Sequence, residues 1–195
     1  TKAAALKFLA EGCPKPDFTE NFIGNVNMGE AEVTIAPCIK SDTLMGALRN
    51  LFASIKPGDY FALDAFLPFD GEGRREALEV IRHGVADKLG VVSCLEIGPR
   101  YLHSTGQLQK GGTNNGVFLM VSADELKDIP LRHVEPESLG MLARTQAAAD
   151  LSILIERGRR CMHLHLPDNS GVTIRALGDA VMKVLDEIER ERAVE

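Results

Sequence analysis

Residues 60–97 read YFALDAFLPFDGEGRREALEVIRHGVADKLGVVSCLEI. Tyr60–Leu67 is an apolar run of strand length, and Gly71 and Gly73 punctuate the chain after it. Leu78, Ile81, Val85 and Leu89 then fall on one helical stripe, Gly90 stops that helix, and Val91–Ile97 forms a second apolar run. Strands that are apolar on nearly every residue, joined by an amphipathic helix, point to a parallel sheet covered by helices on both sides. The alternation continues in both directions. Upstream, Ser41 or Asp42 can cap a helix with Leu44, Leu48, Leu51 and Ile55 on one face, ended by Pro57-Gly58. Downstream come a third strand (Val117–Val121), a polar connection and a helix over 137–157 with Gly158 as its stop. A fourth strand (Cys161–Leu166) and a last helix from about Val172 to Arg192 follow, the latter with Ile174, Leu177, Val181, Val184 and Ile188 aligned. The expected fold is α/β: a three-layer, doubly wound, mainly parallel sheet with right-handed crossovers.

The first 40 residues read differently. Lys2–Glu11 has a helical pattern stopped by Gly12, whereas 12–40 is interrupted by Pro14, Pro16, Gly24, Gly29 and Pro37. Glu32–Ala36 is the one short strand expected there. The organisation expected is an N-terminal helix and irregular arm over 1–40, linking to an upstream domain, and an α/β domain over 41–195. A chain that starts on Thr1 with a helical pattern already under way reads as a piece of a longer polypeptide.

Of the 195 residues, 45% are apolar and 26% charged, as in ordinary globular proteins. The net charge of −6 argues against general nucleic-acid binding, which needs concentrated positive charge. No run has the roughly 18 apolar residues of a membrane-spanning helix, and no signal-peptide pattern opens the chain. The four cysteines are widely spaced without a CxxC and read as reduced thiols in a cytoplasmic protein.

Doubly wound sheets bind ligands beyond the carboxyl ends of their strands, which directs attention to the stretch after the second strand, GPRYLHSTGQLQKGGTNNG. Arg100 offers a planar fork for phosphate or carboxylate. Tyr101, His103, Ser104, Thr105 and Gln107 add polar groups. Lys110 adds a point charge, Gly111 and Gly112 flexible backbone, and Asn114 an amide. Three readings stay open: a site for a small anion, a docking surface for another domain, or a connection whose polar groups satisfy its own backbone. The stretch has neither a Walker A order nor GxGxxG. Cys161, His163 and His165 alternate along one strand face, but no fourth ligand is evident; buried Cys and hydrogen-bonded His account for them better than a metal. Asp64, inside an apolar run, is expected to be a hydrogen-bonded buried acid or to lie at a sheet edge. Glu96 is expected to pair with Arg100.

GPRYLHSTGQLQKGGTNNGVFL, with KPGDYFALDAFLP and ARTQAAADLSILIERGRRCMHLHL, resembles the C-terminal region of a bacterial branch of glucose-6-phosphate isomerases, including those fused to transaldolase. The resemblance spans about 54–166. Gln109 stands where the family often has His, and Thr113 where it often has Pro. What the resemblance implies is a Rossmann-like, sugar-isomerase-like domain of an aldose–ketose isomerase of glycolysis and gluconeogenesis. That chemistry is proton abstraction by a carboxylate through an enediol, with no metal or organic cofactor. The motifs that bind the phosphate and carry this chemistry lie upstream in the family and are absent here, so the segment is expected to be accessory and inactive alone. Its implied partners are the upstream catalytic domains and a sugar phosphate. A homo-oligomer is left open. The alternatives are a stand-alone sugar-phosphate-binding module and a structural interaction domain.

Overall fold

The computed structural model describes residues 20–26, 29–68, 71–125, 127–130 and 138–194. Its strands are β1 (Glu20–Val26), β2 (Gly29–Ile35), β3 (Tyr60–Phe66), β4 (Val92–Ile97), β5 (Gly116–Ala123) and β6 (Arg160–Leu166). Its helices are α1 (Leu44–Ala53), α2 (Arg74–Leu89), α3 (Thr105–Gly111), α4 (Leu139–Glu156) and α5 (Gly171–Arg192), with a 3-10 turn over Arg100–His103. The six strands form one sheet in the order β1-β2-β6-β5-β3-β4. β4, β3, β5 and β6 are parallel, and the β1–β2 hairpin joins antiparallel to β6. This is a mainly parallel, Rossmann-like α/β sheet.

Side-chain alternation divides the interior in two. Phe61, Leu63 and Ala65 of β3, with Val117, Leu119 and Val121 of β5 and Met162, Leu164 and Leu166 of β6, pack against α1, α2 and α5. Ala62, Phe66, Phe118, Met120 and Cys161 point the other way, against Tyr101 and the Ala147, Leu151 and Leu154 face of α4. β5 is buried along its whole length, so it carries no polar alternation. Helix ends follow local chemistry. The Thr43 hydroxyl accepts from the Gly46 N–H at 3.2 Å, so Thr43 caps α1, not Ser41 or Asp42. Gly73 (φ 69°) and Gly90 (φ 66°) bracket α2 in the left-handed region.

Residues 20–35 correct the reading of 12–40 as an irregular arm with one strand: two strands belong to the same sheet. Gly24 acts as a fitting residue rather than a breaker, since a Cβ there would lie 2.8 Å from Leu44 Cβ. The helix expected over Lys2–Glu11 lies outside the described residues. β3 is flanked by β4 on one side and β5 on the other. The winding therefore reverses between β3 and β5, and their carboxyl ends, at Phe66 and Ala123, form the switch point of the sheet.

Candidate functional site

After β4 the chain enters the 3-10 turn and α3, which carry it back to the amino end of β5. The polar residues of this stretch divide into inward and outward sets. Tyr101 is buried with its ring edge-on to Phe66, and its hydroxyl donates to Asp150 Oδ2 at 2.9 Å. Lys110, also buried, pairs with the other oxygen of the same carboxylate. Gln109 Nε2 donates to Asp64 Oδ1 at 3.0 Å. Arg159 Nη2 donates to the carbonyls of Lys110 (3.0 Å) and Gly112 (2.7 Å), satisfying the open end of α3. Tyr101 and Lys110 thus meet through Asp150, and the cluster ties α3 to β3 and α4.

The outward set is Arg100, His103, Ser104, Thr105, Gln107, Gly111 and Asn114, all exposed; Gly112 is half-buried. Ser104 Oγ donates to the Tyr101 carbonyl (3.2 Å), and Gln107 Nε2 to that of Leu102 (2.7 Å). Asn114 Nδ2 donates to the Gly158 carbonyl at 3.3 Å. Arg100 follows the carboxyl end of β4 and Asn114 precedes the amino end of β5, so the parallel sheet places them at opposite ends. The turn and the first residues of α3 keep Arg100, His103, Ser104, Thr105 and Gln107 on one short exposed segment.

Asp64 is fully buried at the centre of this face. Burial pushes its carboxyl well above the ordinary range; Asp150 and Glu96 add to this, against the Gln109 hydrogen bond and Lys110. Asp64 Oδ2 and Gln109 Oε1 are both buried acceptors without a partner. A proton on the Asp64 carboxyl supplies the donor that this pair lacks. The Tyr101 phenol is likewise pushed up, chiefly by burial and then by Asp64 and Asp150, and stays a donor. Asp150 is a member of the cluster that the sequence reading misses. Its signal is the one Asp64 gives: an acid inside an apolar stretch, here AAADLSIL.

A second polar cluster lies at the carboxyl ends of β5 and β6. Ser122 pairs laterally with His165, and its Oγ lies 2.8 Å from both His163 Nε2 and His165 Nδ1. His165 Nε2 reaches Asp124 Oδ1 at 3.2 Å, and Arg144 Nη1 donates to the same oxygen at 2.8 Å. Desolvation of the half-buried His163 ring, then the neighbouring His165, drives its imidazole down to about 3. Burial, then Arg144, also lowers His165, with Asp124 opposing. Cys161 sits apart from the two histidines' partners, packed against α4 in the core. Among the described residues, no three His, Cys, Asp or Glu come together to hold a metal. Among the same residues, no helix is long and apolar enough to cross a membrane.

No protein-family model matches this chain, and no curated protein does. Among solved structures, the chain is similar to the hypothetical protein TT0462 from Thermus thermophilus, with a TM-score of 0.62 and 18% identity. The match covers 73% of this chain and 38% of that one, so the likeness spans well under half of the longer protein and is a likeness of fold.

Proposed function

We propose that this chain is the C-terminal α/β domain of a glucose-6-phosphate isomerase, accessory to catalytic domains elsewhere in the same polypeptide. The parent would interconvert glucose 6-phosphate and fructose 6-phosphate in the cytoplasm, without a metal or organic cofactor. The resemblance of the Gly98–Gly116 stretch carries the reading, and the fold supplies a physical reason for that pattern. Gly98 lies against Phe66, where a Cβ would sit 2.6–2.8 Å from three ring carbons. Tyr101 and Lys110 meet on the buried Asp150 carboxylate. Much of the motif therefore serves to lock the β4–β5 crossover in place, which suits a supporting domain. Arg100, His103, Ser104, Thr105 and Gln107 form the exposed surface of this segment, the face offered to a neighbouring domain.

The same exposed segment favours a second reading, a stand-alone sugar-phosphate module. Calorimetric titration of the 195-residue chain with glucose 6-phosphate and fructose 6-phosphate, with inorganic phosphate as control, separates the two. The accessory reading expects no specific saturable binding by the isolated chain. Binding abolished by Arg100→Ala would replace it with the module reading.

A further inference from the structure

We propose that His163, Ser122, His165 and Asp124 form a proton relay that makes the carboxyl end of β6 a general-base site for an uncharged hydroxyl or acyl compound. The inference stands apart from the isomerase reading.

The donor inventory sets the direction of every bond. Asp124, already holding Arg144, is an acceptor, so His165 Nε2 carries a hydrogen and its Nδ1 a lone pair. That lone pair takes the single Ser122 hydroxyl hydrogen, and the Ser122 oxygen then accepts from His163 Nε2–H. Among the described residues nothing donates to His163 Nδ1, which keeps its lone pair. Ser122 is 2% exposed with its proton committed, so it is a conduit rather than a nucleophile. His163 is only partly buried and lies beside Thr34 of β2, where this sheet face opens toward the exposed Glu32.

The chain of bonds explains how an imidazole as weakly basic as His163 can serve as a base. As a bound water attacks an ester carbonyl, its oxygen bonds to carbon and its proton passes to His163 Nδ1. The His163 Nε2 proton moves to Ser122 Oγ, and the Ser122 proton moves to His165 Nδ1. The positive charge comes to rest on His165 beside Asp124, and His163 stays neutral. When the carbon–oxygen bond to the leaving group breaks, the proton returns along the same path to the departing oxygen or to water. Asp124 balances the charge of Arg144, and Glu32, paired with His165 across the β2–β6 ladder, adds a negative one, so the site favours an uncharged ligand over a phosphate. Glu32 of β2 and Arg144 of α4 are the other charged groups that act on His165, in opposite senses.

Two measurements test the relay. Nitrogen-15 spectra of the histidine rings at neutral pH should show both His163 and His165 as Nε2–H tautomers. Hydrolysis of p-nitrophenyl acetate by the 195-residue chain should fall about tenfold or more in His163→Gln, His165→Gln and Ser122→Ala. His83→Gln, at an exposed imidazole on α2, should keep the wild-type rate. The rate should rise with pH through a midpoint below the ordinary histidine value, tracking His165. An Nδ1–H tautomer at either ring, or a wild-type rate in His163→Gln, would overturn the proposal. If Ser122→Ala does not fold, the wild-type tautomers and His163→Gln decide the matter.

Discussion

Replacing Lys110 by Met should be among the most damaging single changes in this molecule. The Lys110 side chain is 10% exposed and that of Asp150 2%. Methionine keeps the length and apolar stem of the lysine but removes the charge that neutralises Asp150. The carboxylate is then left with only the Tyr101 hydroxyl, 2.9 Å away. Removing one partner of a buried ion pair costs about 3–5 kcal/mol, because the remaining charge stays desolvated. A domain of ordinary stability has about 5–15 kcal/mol in total, so the loss would be at least about a fifth of it. With a urea m-value of ~2 kcal/mol/M, the midpoint should fall by roughly 2 M. Asp150→Leu alone should cost a similar amount by stranding the lysine. The double variant Lys110→Met/Asp150→Leu leaves only the Tyr101 hydroxyl unpaired, at about 1–3 kcal/mol. The cycle should therefore be strongly non-additive. A Lys110→Met loss under about 1 kcal/mol, or a double-variant loss equal to the sum of the singles, would refute the buried pair and with it the inward placement of this face of α3.

Two further perturbations probe the same face. Asp64 has a raised folded-state pKa, so the native state holds a proton that the unfolded chain releases above its ordinary value of 3.8. Stability should therefore fall as pH rises above that value, by up to about 1.4 kcal/mol per unit until the folded pKa is reached. Asp64→Asn, which keeps a donor toward Gln109, should remove this slope and be the more stable form at pH 8. Denaturation at pH 5 and pH 8 checks the sign, and equal slopes in the two proteins would contradict it. Gly98→Ala would drive a Cβ to within 2.6 Å of the Phe66 ring, which is itself held edge-on by Tyr101. Thermal unfolding should register a loss of about 1–3 kcal/mol, and an unchanged midpoint would count against that packing.

The central sheet is legible in the sequence because burial on both faces leaves a strand with little but apolar residues, as in VFLMV, and glycines mark the helix ends. The β1–β2 hairpin is harder to read, although GEAEVTI alternates with a period of two. Gly24 occupies an inward position of β1, where a larger residue would have completed the pattern. The order of the strands, and hence the switch point between β3 and β5, depends on which edge each crossover takes, and local periodicity does not encode that. For the candidate stretch, the residue types are visible but their direction is not. Lys110, Tyr101 and Gln109 turn inward because Asp64 and Asp150, far away in sequence, need partners. Ser122 gives no signal of its own, because it closes an apolar strand and its meaning comes only from the two imidazoles across the β5–β6 ladder.

If this domain supports sugar-phosphate isomerisation rather than performing it, activity must depend on chain beyond the 195 residues. The most direct test is a coupled assay of glucose 6-phosphate and fructose 6-phosphate interconversion on the protein encoded by the complete reading frame and, side by side, on the 195-residue chain. The supporting role predicts turnover by the former and none by the latter. Turnover by the 195-residue chain alone, or none by the complete protein, would contradict it.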